Sequence, residues 1–241
     1  MTNDKHQRGA ARAPRRFWIL GAGRFGRLAA ERIIRHIADA TITVVDQQPV
    51  RFADDRVKAV HAKGVAWLAA TLGRRSAVEM IIPAIPVHVV VDWMKLRLLN
   101  KKEFCPIDIP DSLLSQVPHP LRGKPGQAFA SQADFICPDD CPEPQDRCTH
   151  TGQPRPKDLF RLLADLDLDD IVPIVIRSRQ LLPGVGGITP GDLWAALDTV
   201  CRIERGRILV ATACRCHGVL DLVDLKACAD AAPAGRSGSI C

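Results

Sequence analysis

The sequence predicts an α/β fold: a doubly wound, mostly parallel Rossmann-like sheet that carries a cysteine- and proline-rich insertion. Short β-branched runs alternate with segments of helical periodicity between residues 17 and 102, and the alternation returns after residue 156. The first apolar run leads into the glycine-rich turn Gly21–Gly26, which opens a helical pattern. Such alternation is typical of a parallel sheet with helices on its faces.

The segment 17–102 is predicted to be the N-terminal half of a dinucleotide-binding sheet. Its apolar and β-branched runs predict strands at Phe17–Leu20, Thr41–Asp46, Val57–His61 and Val78–Ile82. The apolar spacing between them predicts helices at Arg27–Ala38, Val65–Leu72 and His88–Leu99.

The segment 103–156 differs in composition, because prolines are frequent, apolar periodicity fades and four cysteines occur. No regular element is expected in this insertion, and a loop of this length is usually functional, disordered or held by something else.

The segment 157–227 is expected to complete the same sheet. We expect a helix at Lys157–Leu166, a strand at Asp170–Ile176, a glycine-rich loop at Gln180–Pro190, a helix at Asp192–Val200 capped by Asp192, and a strand at Arg207–Ala213. Six strands in total fit one complete doubly wound sheet. The alternative is an N-terminal half-sheet followed by a separate C-terminal α/β unit.

The two ends of the chain, residues 1–16 and 228–241, are expected to lie outside the fold. The 241 residues carry a net charge of +6, part of it in a basic arm over residues 1–16. No aromatic residues alternate with those charges, so a solvated arm is favoured over a nucleic-acid surface. No segment reaches the ~18 consecutive apolar residues of a membrane span, and a cytoplasmic protein is predicted.

The glycine-rich turn carries the main functional signal. Gly21 allows a tight turn, Gly23 lets the backbone approach a pyrophosphate, and Gly26 allows the helix to pack closely on the strand. Asp46, 20 residues beyond Gly26, can accept hydrogen bonds from both ribose hydroxyls, which favours NAD(H) over NADP(H). The predicted cofactor-binding residues are Gly21, Gly23, Arg24, Phe25, Gly26 and Asp46. A glycine-rich turn that binds no ligand is the alternative.

These residues also carry a resemblance to a known family. Ile19–Gly26, followed by Val44–Asp46 and Pro49, resembles the N-terminal nucleotide-binding domain of potassium-transport regulators of the RCK or TrkA-N type, over about residues 17–62. The resemblance implies a domain that binds NAD(H), or another adenine nucleotide, and regulates a channel or transporter. That family usually has a Gly-Asp pair after its third strand, whereas Gly64 is followed by Val65 here.

The cysteines fall mainly into two sets. The total of nine is odd and excludes a fully paired disulfide framework, and cytosolic thiols are normally reduced. The pattern C-x3-C-x6-C-x-H in the insertion and the pattern C-x-C-H after the sixth predicted strand provide thiolate and imidazole ligands suited to zinc or an iron–sulfur cluster. The candidate metal ligands are Cys137, Cys141, Cys148, His150, Cys214 and Cys216. Reduced structural thiols and a redox-active disulfide are the alternatives.

Two classes of function follow from these features. The first is an NAD(H)-binding regulatory or sensor protein with a cysteine-rich metal or redox site, acting on a transporter or redox protein. The second is an NAD(H)-dependent oxidoreductase that passes hydride or electrons to a substrate or a cysteine-held cluster, with His88 and His217 as the acid–base candidates. Arg177 and Arg179 are candidate donors to an anionic ligand. Homodimerisation is an open alternative.

Overall fold

The computed structural model describes residues 15–155 and 157–228, and its first sheet contains four parallel strands. Its elements are β1 (Arg15–Leu20), α1 (Arg24–His36), β2 (Ala40–Asp46), β3 (Val57–His61), α2 (Gly64–Thr71), β4 (Met80–Pro83) and α3 (Val89–Arg97). The strand order is β3-β2-β1-β4. These are the four strands that the sequence predicts for residues 17–102, and we call them the N-terminal sheet.

The second sheet is mixed, and we call it the C-terminal sheet. The remaining elements are β5 (Lys102–Pro106), α4 (Asp111–Leu114), β6 (Leu121–Arg122), β7 (Gln127–Ser131), α5 (Leu159–Ala164), β8 (Ile171–Arg177), β9 (Arg179–Leu182), β10 (Val185–Gly187), α6 (Pro190–Arg202), β11 (Gly206–Ala213) and β12 (His217–Ala227). Its strand order is β6-β7-β12-β11-β8, with β5 also paired to β12. Within this sheet, β8 and β11 run parallel to each other. The strands β9 and β10 lie outside it and form a separate antiparallel hairpin.

The prediction of one continuous sheet is wrong in its second half. The strands expected at Asp170–Ile176 and Arg207–Ala213 exist as β8 and β11, but they pair in the C-terminal sheet. The outer edge of β4 is instead bridged by Ile188, whose backbone exchanges hydrogen bonds of 2.9 and 2.8 Å with Ile81. The arrangement is the half-sheet with a separate C-terminal α/β unit.

The insertion is more regular than its composition indicates. The strands β5 and β7 both pair with β12, which the sequence analysis did not predict, so the first part of the insertion contributes strands to the C-terminal sheet. Residues 132–155 are irregular apart from an isolated β-bridge between Arg147 and Pro154. We call this stretch the cysteine segment.

Three smaller expectations also need correction. The predicted loop Gln180–Pro190 contains the β9–β10 hairpin. The helix α6 begins at Pro190 and is capped by Thr189, whose hydroxyl accepts a hydrogen bond of 3.1 Å from the Asp192 N–H, so Asp192 is not the cap. The basic arm ends before Arg15, which starts β1; residues 1–14 and 229–241 lie outside the described part of the chain.

Apolar side chains cover both faces of each sheet. One cluster packs α1 against the N-terminal sheet, and another packs α4 and α5 against the C-terminal sheet. The third joins the two sheets through α2, α3 and α6, with Trp93 and Leu197 fully buried in it. Within residues 15–155 and 157–228, no helix is both long and apolar enough to cross a membrane.

Candidate functional site

The glycine-rich turn joins β1 to the first turn of α1. A Cβ on Gly26 would lie 1.9 Å from the Gly21 carbonyl oxygen, so only glycine permits this close approach of helix and turn. A Cβ on Gly23, by contrast, would meet no protein atom within 4 Å. Gly23 is also the N-cap of α1, and no side chain caps the helix there.

A cleft of about 760 Å³ opens beside this turn. It is lined by residues at or after the carboxyl ends of β1, β2 and β4 and by the first residues of α2. Ligands of parallel α/β sheets bind at this edge. Of the predicted cofactor-binding residues, Gly21, Gly23 and Asp46 line the cleft; Arg24, Phe25 and Gly26 do not.

The carboxylate of Asp46 is fixed at the end of β2. Its Oδ2 accepts a hydrogen bond of 2.6 Å from the Ala22 N–H, and its Oδ1 accepts one of 2.8 Å from the Gln48 N–H. These two backbone donors, Ala22 first, hold the pKa of Asp46 below its ordinary value. The group is therefore an ionised acceptor with lone pairs still available to a ligand in the cleft.

The cysteine segment and the β11–β12 turn meet in space. Cys137 Sγ lies 3.5 Å from His217 Nε2, although 80 residues separate them in the chain. In the turn itself, Cys214 Sγ accepts hydrogen bonds from the N–H groups of Cys216 (3.4 Å) and His217 (3.3 Å). The two cysteine sets of the sequence thus belong to one region, which we call the thiol cluster.

A second set of contacts joins the C-terminal part of the cysteine segment to the β11–β12 turn. The guanidinium of Arg155 donates to Cys216 Sγ at 2.9 Å. The same guanidinium donates to the backbone carbonyls of Pro144 and Gln145. Glu143 Oε1 accepts from the Arg215 N–H, which ties the middle of the segment to the turn.

The thiols differ in their acidity. Burial raises the pKa of Cys214 to about 12 and also raises the pKa values of Cys137 and Cys216. The pKa of Cys148 is lowered, mainly because the Thr151 N–H points at its sulfur. The negative charges that Cys141, Cys216 and Cys148 would carry further raise the pKa of Cys137.

Two observations argue against a preformed metal site in the thiol cluster. Among the residues that the structure describes, no three Cys, His, Asp or Glu side chains converge closely enough to hold one metal ion. His150, a predicted ligand, packs its ring on Phe135 at a centroid distance of 4.5 Å. The structure records no contact of the His150 side chain with a described cysteine.

The other predicted site residues lie elsewhere. His88 is buried, with Nδ1 2.6 Å from Asp221 Oδ2 and Nε2 2.8 Å from Thr212 Oγ1. Arg177 stacks on the Phe160 ring at 4.5 Å, and Arg179 forms an ion pair of 3.2 Å with Asp192. None of these three predicted residues lines the cleft.

Sequence reasoning did not identify Asp221 or Asp139. Asp221 was detectable as a lone acid inside the apolar run 219–223. Asp139 had no local signal, yet its carboxylate pairs with Arg24 of the glycine-rich turn. Arg32 on α1 reinforces this contact, donating to the carbonyls of Asp139 (2.7 Å) and Pro183 (2.8 Å). The cysteine segment is therefore attached to α1.

Comparisons with known proteins give a curated relative and a matching family model. A curated protein from Archaeoglobus fulgidus (strain ATCC 49558 / DSM 4304 / JCM 9628 / NBRC 100126 / VC-16), named "Uncharacterized protein", is 27% identical over 219 residues, which covers 84% of this chain and 96% of that protein. No solved structure matches. A family model matches residues 90–226, from α3 to β12. Because this match spans more than half of the chain, the protein belongs to the family described as "Uncharacterized protein, C-terminal domain".

Proposed function

We propose that the protein is an NAD(H)-binding regulatory or sensor protein, of the kind that the RCK or TrkA-N resemblance implies. The observation that carries the proposal is one cleft that brings together the Gly21–Gly26 turn and the Asp46 carboxylate. The strand order β3-β2-β1-β4 supports the proposal, because one half of a doubly wound dinucleotide-binding sheet has this order of parallel strands.

The cleft has the donors and acceptors that a dinucleotide requires. A pyrophosphate beside Gly23 would receive hydrogen bonds from the free N–H groups that begin α1, and the helix dipole would favour its charge. A ribose at the end of β2 would donate both hydroxyls to Asp46. A 2′-phosphate at that position would meet an ionised carboxylate, and so NAD(H) is favoured over NADP(H).

The same geometry favours binding over turnover. The titratable residues that line the cleft are Asp46, Lys63, Asp92 and Lys95, without a histidine or cysteine among the described lining residues. His88, an acid–base candidate, has both ring nitrogens engaged by Asp221 and Thr212. Regulation would arise because the cofactor stabilises one conformation of the chain and so changes its affinity for a protein partner.

The loop after β4 would transmit this conformational change. Ile85, Pro86 and Val87 line the cleft, and the next residue, His88, is bonded to both β11 and β12. A ligand that orders this loop therefore acts on the junction between the N-terminal and C-terminal sheets.

The proposal is tested by titrating the full chain with NADH and NADPH. Trp67 on α2 follows cleft residues Val65 and Ala66, so energy transfer from tryptophan to NADH reports binding. We expect saturable NADH binding, with NADPH weaker. Asp46→Ala should weaken NADH by ~10–100-fold, as expected for losing hydrogen bonds to a charged group, and should abolish the preference.

The matched control is Glu31→Ala, which removes an exposed acid of α1 that pairs with Arg35. It should leave both affinities unchanged. Absence of NADH binding, or an unchanged preference in Asp46→Ala, would contradict the proposal. Hydrogen exchange with and without NADH should show protection at 21–26 and at 85–88; protection at the turn alone would argue against coupling to the C-terminal sheet.

A further inference from the structure

We propose that Cys137 and His217 form a nucleophile–base pair that reacts with apolar low-molecular-weight disulfides, so that Cys137 takes up a reversible mixed disulfide. The pair lies in a second cleft, which shares no lining residue with the nucleotide cleft. The inference goes beyond nucleotide binding, and either proposal can fail while the other holds.

The second cleft has a volume of about 540 Å³ and lies beside β6 and β7. Its walls include Leu121, Phe129 and Ile136, three large apolar side chains that are exposed. Leu121 lies directly opposite Phe129 in the β6–β7 pairing, so these two side chains share one face of the sheet. A concave site with exposed apolar walls and a few polar groups is suited to a small apolar ligand.

The reactive groups of this cleft are a thiol and an imidazole. Cys137 Sγ lies 3.5 Å from His217 Nε2, and both residues line the cleft. Cys137 is partly exposed, so a reagent in the cleft can reach its sulfur. A thiol within reach of an imidazole is the arrangement that activates cysteine nucleophiles.

The pairing of β7 with β12 brings the two groups together. His217 is the first residue of β12 and lies opposite Ser131, the last residue of β7. The next N–H, that of Gln132, donates to the Cys216 carbonyl at 2.7 Å and so fixes the chain where it leaves β7. The stretch that follows is short enough to keep Cys137 beside the start of β12.

The protonation states of the pair agree with attack assisted by a base. Burial raises the pKa of Cys137, so its sulfur carries a proton at rest and needs an acceptor for it. Partial desolvation lowers the pKa of His217, so the imidazole is neutral near pH 7. In the tautomer that is protonated on Nδ1, Nε2 can accept the thiol proton.

The proposed reaction is thiol–disulfide exchange. The Cys137 proton passes to His217 Nε2 while the sulfur attacks one sulfur of R–S–S–R. A Cys137–S–S–R bond forms, the original S–S bond breaks, and the departing R–S⁻ takes the proton from His217 to give R–SH. The small disulfide is the oxidant, and an excess of thiol reverses the reaction. The retained R group lies against the apolar wall of the cleft.

The first experiment compares cysteines within the full wild-type chain. The reduced protein is treated with a limiting amount of 4,4′-dipyridyl disulfide, an aromatic probe, or of bis(2-hydroxyethyl) disulfide, a polar one, and each modified cysteine is quantified by peptide mass spectrometry. Thiol acidity alone favours Cys148, whose pKa is lowered. We expect instead that the aromatic probe modifies Cys137 at least ~10-fold faster than Cys148 and Cys105, with a smaller ratio for the polar probe. Modification of Cys148 or Cys105 as fast as Cys137, or equal ratios with both probes, would overturn the proposal.

The second experiment removes the base. His217→Ala should slow the modification of Cys137 by at least ~10-fold, and added imidazole should restore the rate, a rescue that a merely structural role of the ring would not give. The matched control is His36→Ala, because His36 is an exposed histidine of α1 outside the cleft. It should leave the rate unchanged. A wild-type rate in His217→Ala, or a loss that imidazole does not restore, would exclude His217 as the base.

The third experiment tests the apolar wall. Phe129→Ser should slow the aromatic probe ~5–10-fold more than the polar probe, because the pyridyl group loses an apolar contact. Phe129 is 43% exposed, so its replacement is compatible with folding. Equal slowing of both probes would show that the cleft does not select the apolar group.

Discussion

The guanidinium of Arg24 forms an ion pair with the carboxylate of Asp139, across 115 residues of sequence. Arg24 is the first residue of α1, beside the cleft where a pyrophosphate is proposed to bind. Asp139 lies between Cys137 and Cys141. One exposed contact therefore connects α1 to the segment that carries Cys137 and Cys141.

Replacing Asp139 by Asn should strengthen NADH binding. The substitution removes a negative charge near the place where we propose that the NADH pyrophosphate binds. It also frees the Arg24 guanidinium to approach that pyrophosphate. Because Arg24 is 74% exposed in its side chain, the effect is that of a surface pair, about 0.2–1 kcal/mol or ~1.4- to 5-fold in affinity at low salt. The titration described above measures it. Asp140→Asn is the control and should have a smaller effect, since Asp140 is exposed. Weaker NADH binding in Asp139→Asn would contradict the expectation.

Replacing Gly184 by Ala should loosen the cysteine segment. Gly184 has a φ of +68°, and an added Cβ would lie 1.6 Å from the Asp139 carbonyl oxygen. The Gly184 N–H also donates to the Cys141 carbonyl at 3.2 Å. We expect a loss of stability of about 1–3 kcal/mol, measured by thermal unfolding, together with faster proteolysis within 137–155.

The control for that variant is Gly191→Ala, in the first turn of α6. An added Cβ there meets its nearest atom at 3.9 Å, so the substitution should be neutral or slightly stabilising. Equal effects of the two substitutions would show that the hairpin does not hold the segment.

Local signals in the sequence were sufficient to predict the N-terminal sheet. β3 has the predicted bounds Val57–His61, and β2 differs by one residue. β2 is a run of β-branched residues that ends before Pro49, β3 contains two valines, and the glycine-rich turn follows β1 directly. Parallel order then follows from the alternation of strands and helices.

The C-terminal sheet could not be predicted in the same way because its pairing is non-local. β12 pairs with β5, β7 and β11, which come from both sides of the cysteine segment. The run His217–Ala227 does contain alternating apolar residues, a signal for the strand itself but not for its partners. Likewise, cysteine spacing predicted the two thiol sets, whereas the Arg24–Asp139 contact depends on how the two sheets are joined.

Replacing Asp221 by Ala should strongly destabilise the protein. Its buried carboxylate contacts His88 Nδ1 at 2.6 Å and accepts a hydrogen bond of 3.1 Å from Gln127 Nε2. Removal leaves the buried His88 ring with one partner fewer, an expected cost of about 2–4 kcal/mol in chemical unfolding. Asp224→Ala, on the same strand but paired at the surface with Lys226, should cost less than ~1 kcal/mol. Similar losses for both variants would rule out a structural role specific to the His88–Asp221 pair.

The contribution of Asp46 to stability should depend on pH in one direction only. Its folded-state pKa lies below the ordinary value because the Ala22 and Gln48 N–H groups stabilise the carboxylate. The stabilisation is therefore fully present above the unfolded-state pKa of ~4 and is lost as the pH falls through the lower folded-state pKa. Unfolding free energies of wild type and Asp46→Asn, measured from pH 7 to pH 3, should differ by a constant amount down to about pH 5 and then converge. A difference that widens as the solution is acidified would mean that Asp46 is destabilised as an anion, in conflict with the proposal that it is an ionised acceptor for ribose.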